Sequence, residues 1–279
     1  MHRSVLYLIE LLSRFFMDFN IKPIKRIQII TLGNSEVGKT CIIKRLCEKR
    51  FVSKYIPTIG VDYGANRLFS SNNEAVQLNI FDLAGNPIFY EIRNEFYNNI
   101  HGVLLVYDIS NQKSLESLNF WLSELLQILD CERENVACIV CGNKCDKKRE
   151  INEHEGQLWA EYHGFPYFET SALTGEGIPE MFQFFIDNML HILKEGKPLV
   201  YGSRLGYSRE QLEAIHRLQW SKNNYERLGL IQGASKEEIN RAYRRIAILI
   251  HPDKTTIPAS EEAFKTLVTT RSLLLRQAK

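Results

Sequence analysis

Apolar and polar positions follow two different rhythms along the chain. Up to about residue 193, short β-branched runs alternate with stretches of helical period, whereas beyond residue 208 only the helical period is found. Ile27-Gln-Ile-Ile-Thr-Leu32 and Ala75-Val-Gln-Leu-Asn-Ile-Phe81 read as strands, as do the apolar runs Leu104–Ile109 and Val136–Cys141. Ile42, Ile43 and Leu46 carry a helical spacing, and a further helix is expected from Glu180 to Leu193. Residues 194–206 are Gly-rich and mostly polar, which marks a linker. Ser208-x-x-Gln211 then forms a capping box that opens a helix to about Gln219, and Ser235-Lys-Glu-Glu238 forms a second. The helix behind that second box lines up Ile239, Ala242, Tyr243, Ile246 and Leu249 or Ile250 on one face and stops at Pro252. A last helix is expected from about Ser260 to Arg276.

The apolar stretch within residues 1–20 is shorter than the ~20 residues a membrane span needs and is broken by Glu10 and Arg14. An amphipathic helix lying on the protein or on a membrane fits it, as does an extension ahead of a start at Met17. The expected division is an extension (1–23), an α/β unit (24–193), a linker with a connecting helix (194–219) and a small helical unit (220–279).

Composition supports two modules. The 279 residues are 44% hydrophobic and 24% charged, ordinary values for a globular protein. Lys and Arg exceed Asp and Glu only by 35 to 33, so no nucleic-acid partner is expected. That total averages two unlike parts: residues 220–279 hold eleven basic and six acidic side chains, leaving residues 1–219 net negative. The six cysteines are too few and scattered for a disulfide framework. Cys138 and Cys141, three apart on a strand, point to opposite faces and cannot share a metal ion. His101, His154, His163 and His191 show no ligand spacing, and Lys147-Lys-Arg149 reads as a solvated basic loop or an import signal.

The chemistry is concentrated at the ends of the strands. Gly33-Asn-Ser-Glu-Val-Gly38-Lys39-Thr40 joins a strand to a helix as G-x-x-x-x-G-K-T. Gly33 and Gly38 let the backbone curl its amides toward phosphate oxygens, and the helix adds its positive end. Lys39 reaches the β/γ phosphates, and the Thr40 hydroxyl ligates Mg²⁺. Asp82-Leu-Ala-Gly85 places a carboxylate for the magnesium shell and a Gly amide for a γ-phosphate. Asn143-Lys-Cys-Asp146 and Ser171-Ala-Leu173 follow later apolar runs, and a carboxylate that accepts from both N1 and the exocyclic amine selects guanine.

In this order and spacing these motifs resemble the small GTPases of the Ras superfamily, and Tyr55-Ile-Pro-Thr-Ile-Gly-Val-Asp-Tyr63 and Leu104–Ile109 resemble Rab proteins in particular. The resemblance implies an α/β fold with a mostly parallel sheet flanked by helices, GTP or GDP with Mg²⁺ as cofactors, and catalysis by Lys39, Thr58 and the residue at 86. It implies a nucleotide site of Gly33, Ser35, Glu36, Val37, Gly38, Lys39, Thr40, Cys41, Phe51, Thr58, Gly85, Asn143, Lys144, Asp146, Ser171, Ala172 and Leu173. Thr40, Thr58 and Asp82 would hold the metal. Asn143 and Asp146 would meet the base edge, Lys144 would lie over the base, and the Ala172 amide would meet the guanine oxygen. Three departures stand out. Asn86, followed by Pro87, replaces the Gln that orients the attacking water, so slow hydrolysis is expected. Glu36 stands where many relatives carry Gly. The sequence ends without the cysteine that carries a prenyl group, so no lipid anchor is expected.

In the basic unit, Tyr225-Glu-Arg-Leu-Gly-Leu230, Arg241-Ala-Tyr-Arg-Arg245 and His251-Pro-Asp-Lys254 resemble the J domain of DnaJ proteins, here expected to lack its fourth helix. The resemblance implies that Arg241, Arg244, Arg245, His251, Pro252 and Asp253 dock on a DnaK-type (heat-shock 70 kDa) chaperone. Leu249, Ile250 and Arg271 depart from the usual basic and aromatic residues, which is expected to weaken that coupling. The favoured reading is a monomeric, cytoplasmic or nuclear GTP switch that binds an effector and carries a chaperone-recruiting arm. A scaffold held in one nucleotide state, with the J domain only a docking surface, is the competing reading.

Overall fold

The computed structural model describes residues 24–129, 136–197, 208–252, 255 and 259–277. The proposed N-terminal amphipathic helix, Asp253 and most of the linker lie outside the described residues. The strands are β1 (Lys25–Leu32), β2 (Val61–Phe69), β3 (Ala75–Leu83), β4 (Gly102–Asp108), β5 (Ala137–Asn143) and β6 (Tyr167–Thr170). They form one sheet in the order β2-β3-β1-β4-β5-β6. Only β2 runs antiparallel to its neighbour; the other pairings are parallel.

Because side chains alternate across a strand, β1 sends Ile27 and Ile29 to one face and Ile30 and Leu32 to the other. On the first face α1 (Lys39–Glu48) and α6 (Ile178–Glu195) cover the sheet with Ile42, Ile43, Leu46, Phe182 and Phe185. The other face is covered by α3 (Gln112–Glu116), α4 (Leu118–Ile128) and α5 (Glu153–Tyr162), whose Leu115, Trp121, Leu122 and Trp159 close the second core. Cys141 belongs to the first core and Cys138 packs against the second, as their spacing requires. A short 3₁₀ turn (Pro87–Phe89) and α2 (Tyr90–Asn94) follow β3. Parallel strands gather their C-terminal ends, and hence the loops bearing the motifs, at one end of the sheet.

The C-terminal helices are α7 (Arg209–Trp220), α8 (Asn224–Arg227), α9 (Lys236–Ile250) and α10 (Ser260–Gln277). Both capping boxes form, Ser208 with Gln211 and Ser235 with Glu238. Helix α7 is more than a connection. Its Ala214, Ile215 and Leu218 are fully buried in the same core as Ile239, Ile246 and Ile250 of α9 and Ala263, Leu267 and Leu274 of α10. Leu158 of α5 joins that core, and the His216 ring of α7 stacks on Tyr162 of α5 at 3.7 Å and 9°. The helical unit is therefore seated on α5, beside the β6 edge of the sheet. Among the described residues no helix is long and apolar enough to cross a membrane.

Candidate functional site

The loop from β1 to α1 is held in a shape few side chains tolerate. Glu36 has φ 67° and Gly38 φ 99°, left-handed conformations that turn successive amides inward. This explains why a Gly would be at ease at position 36; Glu36 accepts the strain and leaves its side chain exposed. A Cβ on Gly38 would overlap Asn143 Nδ2, and one on Gly33 would overlap the Val106 carbonyl. Lys39 is buried and donates to the Gly33 and Asn34 carbonyls at 2.7 and 2.9 Å. Burial lowers its ammonium to about 8, with Asp82 pulling the other way.

Beside it, oxygens converge. Thr40 Oγ1 lies 2.5 Å from Asp82 Oδ2 and 3.2 Å from Thr58 Oγ1, and Thr58 Oγ1 is 3.4 Å from the same carboxylate oxygen. Thr31 fixes the second oxygen of Asp82 at 2.8 Å. Burial raises the Asp82 carboxyl, opposed by Lys39 and by the hydroxyls of Thr40 and Thr31. One buried carboxylate and two hydroxyls fit a hard, oxygen-seeking cation that takes its remaining ligands from phosphate and water, as Mg²⁺ does.

A cavity of ≈ 650 Å³ opens over this corner. Of the residues expected at the nucleotide, Ser35, Glu36, Gly38, Lys39, Thr40, Cys41, Phe51, Thr58, Gly85, Asn143, Lys144, Asp146, Ala172 and Leu173 line it. Gly33, Val37 and Ser171 are not part of the lining. They support it instead: the Val37 carbonyl accepts from Asn143 Nδ2 at 2.8 Å, and Ser171 Oγ donates to Asp146 Oδ1 at 2.5 Å. Asn143 Oδ1 accepts from the Ala172 amide and from Thr170 Oγ1, each at 3.2 Å. Asn143, with the Ala172 amide as one of its donors, thus ties three loops together. Lys144 Nζ is 2.6 Å from Asp108 Oδ2 and 2.6 Å from the Glu36 carbonyl, bridging the base loop to the phosphate loop.

Just beyond β3, Gly85 is pressed so close that a Cβ would overlap the Ser35 nitrogen and Asn34 carbonyl carbon. The Asn86 side chain is already employed: its Oδ1 accepts from the Ile88 amide at 3.0 Å and caps the 3₁₀ turn that begins at Pro87. In the helical unit, Arg241, Arg244 and Arg245 are exposed on α9, Ile250 is buried, and His251 ends the helix with its ring edge-on to Phe264 at 5.3 Å. Pro252 is exposed. Arg271 lies over the Tyr243 ring at 4.6 Å and donates to Asn240, so it fills its place by stacking.

Residues 28–191 match the family model for the Ras family, and residues 223–279 match that for the DnaJ domain. The chain belongs to the Ras family. It is 50% identical to DnaJ homolog subfamily C member 27 of Rattus norvegicus over 265 residues, which cover 92% of this chain and 97% of the relative. The Homo sapiens protein of that name is 50% identical over 259 residues (91% and 94% of the two chains), and the Danio rerio protein 47% over 275 residues (94% and 100%). The chain is therefore a Ras-type small GTPase followed by a J domain, the co-chaperone module.

Some residues of this Ras-family site had no role assigned to them from the sequence. Asp108, which ends β4, meets burial that would raise its carboxyl, yet the hydrogen bonds of Lys144 and Ser110 hold it below the usual range. Arg45 of α1 donates to the Ala172 carbonyl at 3.0 Å and steadies the base loop. Lys44, Lys54 and Lys147 line the cavity and add positive charge to it. For Lys44 and Lys54 the sequence signal is proximity to a motif, and Lys147 belongs to the basic run 147–149.

Proposed function

We propose that this GTPase hydrolyses GTP slowly and carries its J domain as an arm that recruits a DnaK-type chaperone. The observation that carries the reading is the capped Asn86. Its side chain is one methylene shorter than Gln, and the hydrogen bond from the Ile88 amide pins its amide oxygen to the turn, so it is not free to swing toward an attacking water while the cap is in place. A misplacement of about 1 Å can cost roughly 10²-fold in rate. Lys39 and the loop amides hold the β and γ phosphates, Thr58 lies closed over the Thr40 and Asp82 corner, and Lys144 and Asp146 take the base. Thr40, Thr58 and Asp82 would hold Mg²⁺, which would supply charge neutralisation at the phosphates. On the J domain, exposed Arg241, Arg244 and Arg245 present positive charge to an acidic chaperone face along the helix that ends at the His251-Pro252 corner.

Two linked measurements test this. Asn86→Gln should raise single-turnover GTP hydrolysis by roughly 10-fold or more by removing the cap and lengthening the side chain. The intact protein should accelerate the ATPase of a DnaK-type chaperone, and His251→Gln should abolish the acceleration. A native turnover equal to that of an ordinary Rab overturns slow hydrolysis. No acceleration by the native chain leaves the J domain as a docking surface on a nucleotide-held scaffold.

A further inference from the structure

Ser117, Trp121 and Glu124 share one face of α4 and its first turn, since they stand four and three residues apart. At one end of this stripe, Trp121 Nε1 donates to Asn34 Oδ1 at 2.8 Å, and Asn34 Nδ2 donates to Ser117 Oγ at 3.0 Å. The phosphate loop is thereby fastened to α4. At the other end, Glu124 is buried and grips Arg93 of α2 through two parallel bonds of 3.0 and 2.9 Å. Tyr97 donates a third bond to Glu124 at 2.5 Å. Arg93 is fully buried, its guanidinium 4.9 Å over the Trp121 ring.

The remaining Arg93 nitrogen is spent on the backbone. Nη1 donates to the Ala84 carbonyl at 3.2 Å and to the Asn86 carbonyl at 2.8 Å. These two carbonyls bracket Gly85, the residue pressed against Ser35 and Asn34 of the phosphate loop. A buried ion pair is a weak source of stability, because desolvation offsets its attraction and an apolar pair could fill the same volume. What an apolar pair could not do is fix the carbonyls on both sides of Gly85. The fork of Arg93 does this, and Glu124 sets the fork.

We propose that Arg93, clamped by Glu124, is a positioning residue for GTP hydrolysis: it holds the turn that carries the Gly85 amide and Asn86 against the phosphate loop. This rests on the GTPase reading above and assigns that reaction a control point outside its motifs. Arg93 itself contacts no nucleotide in this scheme; it acts through the Asn86 carbonyl.

The test uses the full chain. Native protein is first measured for GTP and GDP affinity and for single-turnover hydrolysis; tight binding with measurable turnover secures the GTPase reading by itself. Arg93→Met combined with Glu124→Gln removes both charges together, so no uncompensated ion is left buried, and the amide oxygen introduced by Glu124→Gln still offers Tyr97 an acceptor. Turnover should fall roughly 10- to 100-fold, the scale of a misplacement near 1 Å, while both nucleotide affinities stay within about 3-fold. Hydrogen exchange at the amides of Ala84, Gly85, Asn86 and Ile88 (Pro87 has none) should speed up with a GTP analogue bound. Unchanged turnover in the folded double variant, or turnover and affinity falling together, overturns the proposal. If the double variant does not fold, Arg93→Lys, which keeps the charge and loses the fork, is judged by the same two criteria. Exchange at residues 84–88 unaltered in either folded variant also overturns it, whatever the native turnover proves to be.

Discussion

Leu218→Ala is the sharpest probe of how the J domain is built. Leu218 is fully buried in the core that α7 shares with α9, α10 and Leu158. Truncation removes about three carbon groups at ~0.8 kcal/mol each, and the cavity left behind lifts the expected loss to about 3–5 kcal/mol. A unit of about 70 residues has a stability of roughly 4–10 kcal/mol, so one substitution removes a large share of it. Urea unfolding followed by circular dichroism should resolve an early transition of the J domain, with chaperone stimulation lost in parallel. Nucleotide affinity should stay within about 2-fold, because Leu218 lies far from the phosphate corner and distant sites are independent. A loss under about 1 kcal/mol would mean that α7 is a surface tether and not part of the J core.

Two further outcomes follow from packing and charge. Gly156 sits inside α5, where Ala is ordinarily better by about 1 kcal/mol, but a Cβ there would overlap the Tyr107 hydroxyl and approach that of Tyr167 at 2.9 Å. Gly156→Ala should therefore destabilise the GTPase by about 1–3 kcal/mol in urea unfolding, and a stabilised variant would show that the helix can shift away. His216, facing Tyr162 of α5 and its C-cap His163 and flanked by Arg217, is pulled down to about 4, by burial first and by the Arg217 charge second. The unfolded imidazole, near pH 6.5, takes a proton that the folded ring resists, so this stabilisation is complete above about pH 6.5 and drains away as pH falls toward 4. His216→Phe keeps the stack and should flatten the decline in urea midpoint between pH 7.5 and 5; equal slopes in the two proteins would refute the assignment.

Much of the site was legible because its chemistry is local. Gly33 to Thr40, Asp82 to Gly85 and Asn143 to Asp146 are continuous segments whose residue types follow from the phosphate, cation and base they serve. The capping boxes at Ser208 and Ser235 are local too, and both form at the expected residues. Contacts that join distant segments leave no such mark. Arg93 and Glu124 stand 31 residues apart, with no periodicity to pair them. The Asn86 cap leaves only a faint signal, since Asn before Pro favours a turn without saying what the Asn side chain will hold. Strand β2 leaves little pattern at all, because one of its faces is largely exposed and Gly64 interrupts its alternation.

Helix α7 gives two of the departures from the J-domain pattern a packing reason. The usual basic and aromatic pair before His251 is replaced by Leu249 and Ile250, and α7 is what these residues face. Ile250 is fully buried in the core to which α7 contributes, Leu249 packs against that core, and Gln211 Nε2 donates to the Leu249 carbonyl at 3.1 Å. A lysine at 249 would lose hydration under that cover, so apolar residues there are the partner of an added helix. The basic face of Arg241, Arg244 and Arg245 lies elsewhere on α9 and stays exposed. Seating the J domain on α5, next to β6, also places it at the sheet edge opposite β2, which the Thr58 segment leads into. The J domain and the segment that leads into β2 therefore lie at opposite edges of one sheet, and α5, with its joint to α7, carries the packed contact between the two units.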